Sequence, residues 1–113
     1  MHKSLFLLFL ALSFQFSSAQ KKEFSYLDIF DLQYASDPQI SPNGEWVVYR
    51  RMGFDIMKDG SRGNLWLIRS DGSQNQKLTA SESNESSPRW SPSGDRIAFT
   101  SSTGEGSEIY MYW

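Results

Sequence analysis

The 113-residue chain contains no cysteine, and its single histidine is His2. Without cysteine the chain can form no disulfide, so its stability must come from packing. Once a leader carrying His2 is removed, neither a Ser-His-Asp nor a Cys-His nucleophile can be assembled from the remaining residues. The histidine and cysteine ligands of common zinc sites are missing as well. We therefore expect no catalytic residue, no metal ligand and no cofactor-binding residue in this chain.

Clustered basic charge and phosphate-binding loops are also missing. The formal net charge is −2, which gives no electrostatic footprint for nucleic acid. No glycine-rich phosphate loop of either common pattern occurs. A two-carboxylate glycosidase site is chemically possible. However, no pair of acidic residues is singled out by its spacing, and scattered acids are typical of a solvated surface.

The first nineteen residues have the pattern of a secretory signal peptide. Lys3 precedes an unbroken apolar run, Leu5–Leu12, and Ser17-Ser18-Ala19 supplies the small residues of a cleavage site. The run is shorter than the roughly 18 residues that span a bilayer. We expect export to the periplasm or the extracellular space, with no stable membrane insertion after cleavage. The alternative is an N-terminal membrane anchor.

Residues 20–36 form a polar lead-in that contains a short predicted helix. Ser25 can cap this helix, with Asp28 completing a box-like arrangement. Apolar side chains recur at helical spacing over Tyr26–Ala35, and Pro38 disfavours helix immediately beyond. The spacing predicts one amphipathic helix of about ten residues.

Two stretches of the chain, 37–49 and 87–99, repeat each other at a constant offset of 50 residues. In each, a Ser-Pro-x-Gly sequence fits a β-turn, since proline suits its second position and glycine its fourth. Self-similarity at this spacing indicates a repeat architecture. The identical pairs are Pro38/Pro88, Ser41/Ser91, Pro42/Pro92 and Gly44/Gly94.

Strands are predicted after each turn, and most are apolar on both faces, which is typical of a sheet covered on both sides. Asp71-Gly72 indicates a tight hairpin in the first repeat. The predicted connections are Met52–Arg62, Ser81–Ser87 and Ser101–Gly106. The predicted strands are Pro38–Ile40, Trp46–Tyr49, Asn64–Arg69, Gln76–Thr79, Arg89–Trp90, Arg96–Thr100 and Glu108–Tyr112.

Each repeat therefore resembles a four-stranded blade of a β-propeller. We predict an all-β partial propeller of about two antiparallel blades, with the first blade at 37–86 and an incomplete second blade at 87–113. A propeller closes with about four to eight blades, so we expect the chain to be the N-terminal piece of a longer protein. Bare faces would expose Trp46, Trp66 and Trp90 wherever they point outward. The alternative is a small β-sandwich that exists on its own.

The repeat resembles that shared by TolB and the prolyl oligopeptidase family of serine peptidases. The residues that carry this resemblance are the segment 37–49, Asn64–Ile68 and Lys77-Leu78-Thr79. The entry segment, Leu27–Leu32 running into Ser36–Pro42, is similar to the acylaminoacyl-peptidase and dipeptidyl-peptidase branch. The resemblance covers about 85 residues and matches none of the family's catalytic positions.

The resemblance implies an exported enzyme that cleaves short peptides. Its N-terminal propeller would restrict access and position the substrate, and a C-terminal α/β-hydrolase domain would carry the nucleophile. The partners of this chain would be the rest of its propeller and that hydrolase domain. The alternative is a non-catalytic TolB-like periplasmic propeller that binds a protein partner.

Overall fold

The computed structural model describes residues 21–79 and 82–113, which form a short helix and seven β-strands. The predicted signal peptide, residues 1–19, lies outside the described residues. The elements are a 3₁₀ helix, Tyr26–Asp31, and the strands β1 Gln33–Ile40, β2 Trp46–Asp55, β3 Gly60–Arg69, β4 Gln76–Lys77, β5 Asn84–Trp90, β6 Ile97–Thr103 and β7 Gly106–Tyr112. Sheet 1 has the order β1-β2-β3-β4, and sheet 2 has the order β5-β6-β7. All pairs are antiparallel, so each sheet is a meander, as predicted.

The helix in the lead-in begins where it was predicted to begin. Ser25 is the N-cap, and its hydroxyl accepts a hydrogen bond from the Leu27 N–H at 3.3 Å. The Asp28 carboxylate accepts one from the Ser25 N–H at 2.6 Å, which completes the capping box. The Lys22 ammonium and then the Ser25 N–H hold the pKa of Asp28 below its usual value. The start of the helix is therefore set by local sequence.

The end of the helix was predicted wrongly. The helix stops at Asp31 instead of reaching Ala35, and β1 begins at Gln33. Tyr34, which was expected on the helix, pairs with Met52 of β2. The hydrogen bonds of this pairing run along a whole strand, and such tertiary context overrides local helix preference.

The two Ser-Pro-x-Gly turns have the predicted geometry. The Gly44 N–H donates to the Ser41 carbonyl and the Gly94 N–H donates to the Ser91 carbonyl, each at 2.9 Å. Gly44 and Gly94 have φ of +74° and +77°, a left-handed conformation that glycine adopts without strain. The two turns therefore repeat each other in backbone conformation as well as in sequence.

Replacing Gly44 by alanine should destabilise the fold by about 1 kcal/mol, because a Cβ is strained at this φ. No atom lies within 4 Å of the place that the new Cβ would take, so the cost is conformational and not steric. Gly104→Ala is the matched control, since Gly104 is equally uncrowded and lacks a positive φ. Urea unfolding followed by tryptophan fluorescence measures both variants. Equal shifts in the two midpoints would contradict this account of the turn.

The β2–β3 hairpin is longer than the sequence predicted. Met52–Arg62 was expected to be a polar connection, but β2 continues to Asp55 and β3 begins at Gly60. The register runs without interruption to the pair Asp55↔Gly60, so only residues 56–59 connect the strands. A continuous ladder hydrogen-bonds polar and glycine residues as readily as apolar ones, because the ladder is made by the backbone.

Three other predicted boundaries are also wrong. The expected loop Ser101–Gly106 is mostly strand, because β6 and β7 pair as far as Thr103↔Gly106. The expected linker Ser81–Ser87 contains the first half of β5, which begins at Asn84. Conversely, β4 covers only Gln76–Lys77 and stops short of Thr79.

The first strand of each sheet is bulged at the same repeat position. Asp37 and Ser87 have φ of +47° and +54°, and the register shifts at both places. Both residues precede proline, which cannot donate a ladder hydrogen bond. β1 begins before residue 37 and β5 before residue 87, while the division of the chain at 37–86 and 87–113 stays a prediction.

Candidate functional site

The two sheets pack face to face through one apolar core. Val48 and Leu65 of sheet 1 and Ile97 and Phe99 of sheet 2 are buried together. We call the side of a blade that carries Val48 and Leu65 in sheet 1 its front face. The side that carries Ile97 and Phe99 in sheet 2 is the back face. The observed junction therefore joins the front of the first blade to the back of the second.

A buried carboxylate lies at the edge of this core. Glu85 of β5 is only 1% exposed. Its carboxylate accepts a hydrogen bond from the Leu65 backbone N–H at 3.2 Å and another from the Thr79 hydroxyl. The two-residue β4 leaves this part of β3 without a complete ladder partner. A side chain of the second blade therefore completes the hydrogen bonding of the first.

Arg50 links Asn84 and Glu85 of β5 to the front face of sheet 1. Its Nε donates to the Glu85 carbonyl at 2.7 Å, and a terminal nitrogen donates to the Asn84 side-chain oxygen at 2.6 Å. That oxygen also accepts from the Gly63 N–H at 3.0 Å. A Cβ on Gly63 would come within 2.4 Å of the Arg50 Nε, so a side chain there would displace the guanidinium.

The opposite end of the junction is held by β1 and β5. The Trp90 indole N–H donates to the Gln39 carbonyl at 2.9 Å. Arg89 forms an ion pair with Asp37 at 3.3 Å, and both side chains are partly exposed. Exposed ion pairs of this kind contribute less than about 1 kcal/mol, so the indole contact is the stronger link.

A cavity of about 380 Å³ opens beside Glu85 between the sheets. Its apolar walls come from Leu78, Phe99, Tyr110 and Tyr112. The Phe99 and Tyr110 rings stack with centroids 6.0 Å apart. Because these walls are aromatic and aliphatic, this part of the cavity is suited to packing apolar side chains.

The tryptophans expected on bare faces are half-buried instead. The Arg51 guanidinium lies 4.4 Å from the centroid of the Trp66 ring, and that of Arg69 lies 5.0 Å from the Trp46 ring. Such cation–π contacts, together with the aliphatic stems of the arginines, cover aromatic surface. The expectation of exposed indoles is therefore wrong for this pair, and Trp90 lies in the junction.

Two residue groups named by the sequence prediction were given the wrong roles. Arg50 lies just beyond the predicted strand Trp46–Tyr49, and Asn84 and Glu85 fall in the predicted connection Ser81–Ser87. The 50-residue offset pairs Glu85 with Ala35, which was predicted on the helix and lies in β1, so the offset alone did not indicate a strand at Glu85. No sequence pattern indicated that its carboxylate would be buried.

Catalytic, metal and cofactor residues were expected to be absent. Across 21–79 and 82–113, no group of three or more His, Asp or Glu side chains could hold a metal ion. The expected absence itself stays a prediction. No helix in the described ranges is both long and apolar enough to cross a bilayer.

Curated relatives of the chain include two peptidases. It is 29% identical over 92 residues to the uncharacterized peptidase YuxL of Bacillus subtilis, which covers 80% of this chain and 14% of the relative. It is 33% identical over 78 residues to dipeptidyl-peptidase 5 of Porphyromonas gingivalis, covering 69% of this chain and 11% of the relative. The chain thus spans a small part of the length of both relatives.

A third relative is the Tol-Pal system protein TolB of Polaromonas naphthalenivorans. It is 39% identical over 57 residues, which cover 50% of this chain and 13% of the relative. No protein-family model matches the chain.

Two solved structures share the fold. A putative TolB from Agrobacterium tumefaciens superposes with a TM-score of 0.53 and 24% identity, over 68% of this chain and 28% of that one. The β-propeller domain of the trilobed protease from Pyrococcus furiosus superposes with a TM-score of 0.57 and 24% identity, over 79% and 25%. The predicted all-β partial propeller is confirmed, as is the resemblance to peptidases and TolB-like propellers.

Proposed function

We propose that this chain is the N-terminal part of the β-propeller of an exported serine peptidase that acts on short peptides. The observation that carries the proposal is the pair of peptidase relatives, whose matches cover most of this chain but no more than 14% of either relative. The two blades also pack as successive propeller blades do, front face to back face through a shared core.

In this proposal the propeller restricts access and positions the peptide, and catalysis takes place in a C-terminal α/β-hydrolase domain. This division of labour is supported by the buried Glu85 and the partly buried Arg50 and Asn84, whose hydrogen bonds hold the two blades together. The larger parent implied by the peptidase relatives would supply the nucleophile elbow and the triad.

Export is part of the same proposal. It rests on the signal-like residues 1–19. The proposed location is the periplasm or the extracellular space.

A second candidate is a non-catalytic TolB-like propeller that binds a protein partner. The 39% identity to a TolB protein favours it, although that match is shorter than either peptidase match. The two candidates differ in what accompanies the propeller. The peptidase requires a hydrolase domain, and the TolB-like protein requires only further blades.

The test is to express the reading frame that contains this chain to its natural stop codon and to treat the product with a fluorophosphonate probe. We expect the product to be labelled covalently, and mutation of the serine in its nucleophile elbow to abolish labelling. The 113-residue chain alone should not be labelled, which makes it the matched control. An unlabelled full product that contains only propeller blades would favour the TolB-like candidate and overturn the peptidase.

A further inference from the structure

The first Ser-Pro-x-Gly turn contains an asparagine followed by a glycine, Asn43-Gly44, whereas the second turn has Ser93 at the equivalent position. In an Asn-Gly pair the backbone nitrogen reaches the preceding side-chain amide most easily, because glycine has no Cβ to obstruct the approach. The other asparagines of the chain precede the larger residues Leu65, Gln76 and Glu85. Fast deamidation is therefore expected at the first turn and not at these three positions.

Deamidation at such a pair is an intramolecular acyl transfer. The Gly44 nitrogen loses its proton to solvent base and attacks the Asn43 Cγ, the Cγ–Nδ2 bond breaks, and Nδ2 takes up a proton and leaves as ammonia. Water then opens the resulting succinimide at either of its two C–N bonds, which gives an aspartyl or an isoaspartyl residue at position 43. Nothing is oxidised or reduced, and water is the only other reactant consumed. Asn43 and Gly44 are both exposed, so water reaches them.

In the folded turn both reacting groups are engaged in hydrogen bonds. The Gly44 N–H donates to the Ser41 carbonyl at 2.9 Å. The Asn43 Oδ1 accepts from the Ser41 hydroxyl at 2.7 Å and from the Glu45 N–H at 3.0 Å. The Asn43 Nδ2 donates to the Glu45 carboxylate at 3.4 Å. Because attack requires a free Gly44 nitrogen and a side chain that can rotate onto it, the reaction requires the turn to open.

The Ser41 hydroxyl is oriented by its own surroundings. Ser41 is 5% exposed, and its hydroxyl accepts a hydrogen bond from the Trp46 N–H at 3.0 Å. A hydroxyl has a single proton to donate, and with an N–H on its other side that proton is directed to Asn43. In the second turn the equivalent hydroxyl, that of Ser91, donates to the Asp95 carboxylate at 3.0 Å. The second turn thus uses the same hydroxyl without holding a reactive amide.

We infer that Asn43 is a site of spontaneous deamidation, and that the Ser41 hydroxyl sets its rate by holding the first turn closed. The modification adds a negative charge beside Glu45, and the isoaspartyl product also adds a methylene to the backbone of the turn. The lengthened backbone no longer aligns the Gly44 N–H with the Ser41 carbonyl. Deamidation therefore records irreversibly that the turn has opened. This inference does not rest on the proposed function.

The test is to incubate the purified full chain in neutral buffer and to follow, by peptide mass mapping, the replacement of NH₂ by OH at each asparagine. In the wild type we expect slow modification at Asn43 and none at the other asparagines over the same period. Ser41→Ala removes a donor to Asn43 and should accelerate the reaction there by roughly tenfold, since a turn with weaker hydrogen bonding opens more often. Ser41→Thr keeps a hydroxyl and should react at the wild-type rate.

Ser91→Ala is the matched control, because it removes the equivalent hydroxyl of the second turn and leaves the contacts of Asn43 in place. It should deamidate at the wild-type rate. In urea that unfolds the chain, wild type and Ser41→Ala should react equally fast, and faster than the folded wild type, since the substitution acts only on the closed turn.

Three results would overturn the inference. They are equal rates for folded Ser41→Ala and Ser91→Ala, a folded wild type that reacts as fast as the unfolded one, and an unfolded chain in which Asn43 stays unmodified. The comparison of folded with unfolded wild type holds even where Ser41→Ala does not fold. None of these results bears on fluorophosphonate labelling of the full reading frame, so the two proposals can fail separately.

Discussion

Glu85→Ala is expected to lower the free energy of unfolding by about 3 kcal/mol, one of the largest losses available to a single substitution in this chain. The carboxylate accepts from the Leu65 N–H and from the Thr79 hydroxyl, and the residue is 1% exposed. Removing it leaves the buried Leu65 N–H without its acceptor and takes one partner from the partly buried Thr79 hydroxyl, and an unpaired buried group costs about 1–3 kcal/mol. Urea unfolding followed by tryptophan fluorescence gives the difference.

Two controls separate the hydrogen bonds from the loss of an acidic residue. Glu85→Gln keeps an acceptor oxygen of the same shape, so it should lose only about 1 kcal/mol. Glu82→Ala removes an exposed acid three positions earlier and should change the stability by less than about 0.5 kcal/mol. If Glu85→Ala behaved like Glu82→Ala, the carboxylate would not be joining the blades.

Leu65→Ala is expected to cost about 3 kcal/mol, because it removes a fully buried side chain from the junction core and leaves a cavity. The repeat provides a matched control in Ile109→Ala, which changes the equivalent position of blade 2, where the side chain is 82% exposed. That variant should change the stability by less than about 0.5 kcal/mol when measured at a concentration where the chain is monomeric. Similar losses in the two variants would show that sheet 2 buries its outer face in the isolated chain.

Features set by neighbouring residues could be predicted from the sequence. The Ser-Pro-x-Gly turns and the Ser25–Asp28 capping box depend on side chains within a few positions of one another, and the structure confirms both. The all-β class and the two-blade repeat followed from the 50-residue periodicity. The turns and the capping box are contained in a short window of sequence, and the repeat is found by comparing two segments 50 residues apart.

Features set by distant residues could not be predicted in this way. Tyr34 lies on a strand because Met52 pairs with it, and the β2–β3 ladder reaches Gly60 because its register continues unbroken. Glu85 is buried because β4 ends early and leaves the Leu65 N–H to be satisfied by another blade. Each outcome depends on a partner at least several residues away, and the polar composition of 81–87 gave no sign of it.

From the contact between Glu85 and the Leu65 N–H we expect an order of events during synthesis on the ribosome. The β-strands of the first blade are all translated by Lys77, yet the Leu65 N–H lacks its acceptor until the Glu85 side chain has emerged. Since translation proceeds at about 5–20 residues per second, we expect the first blade to lack this hydrogen bond while the start of the second is made. The natural unit of vectorial folding is therefore the first blade together with the opening strand of its successor.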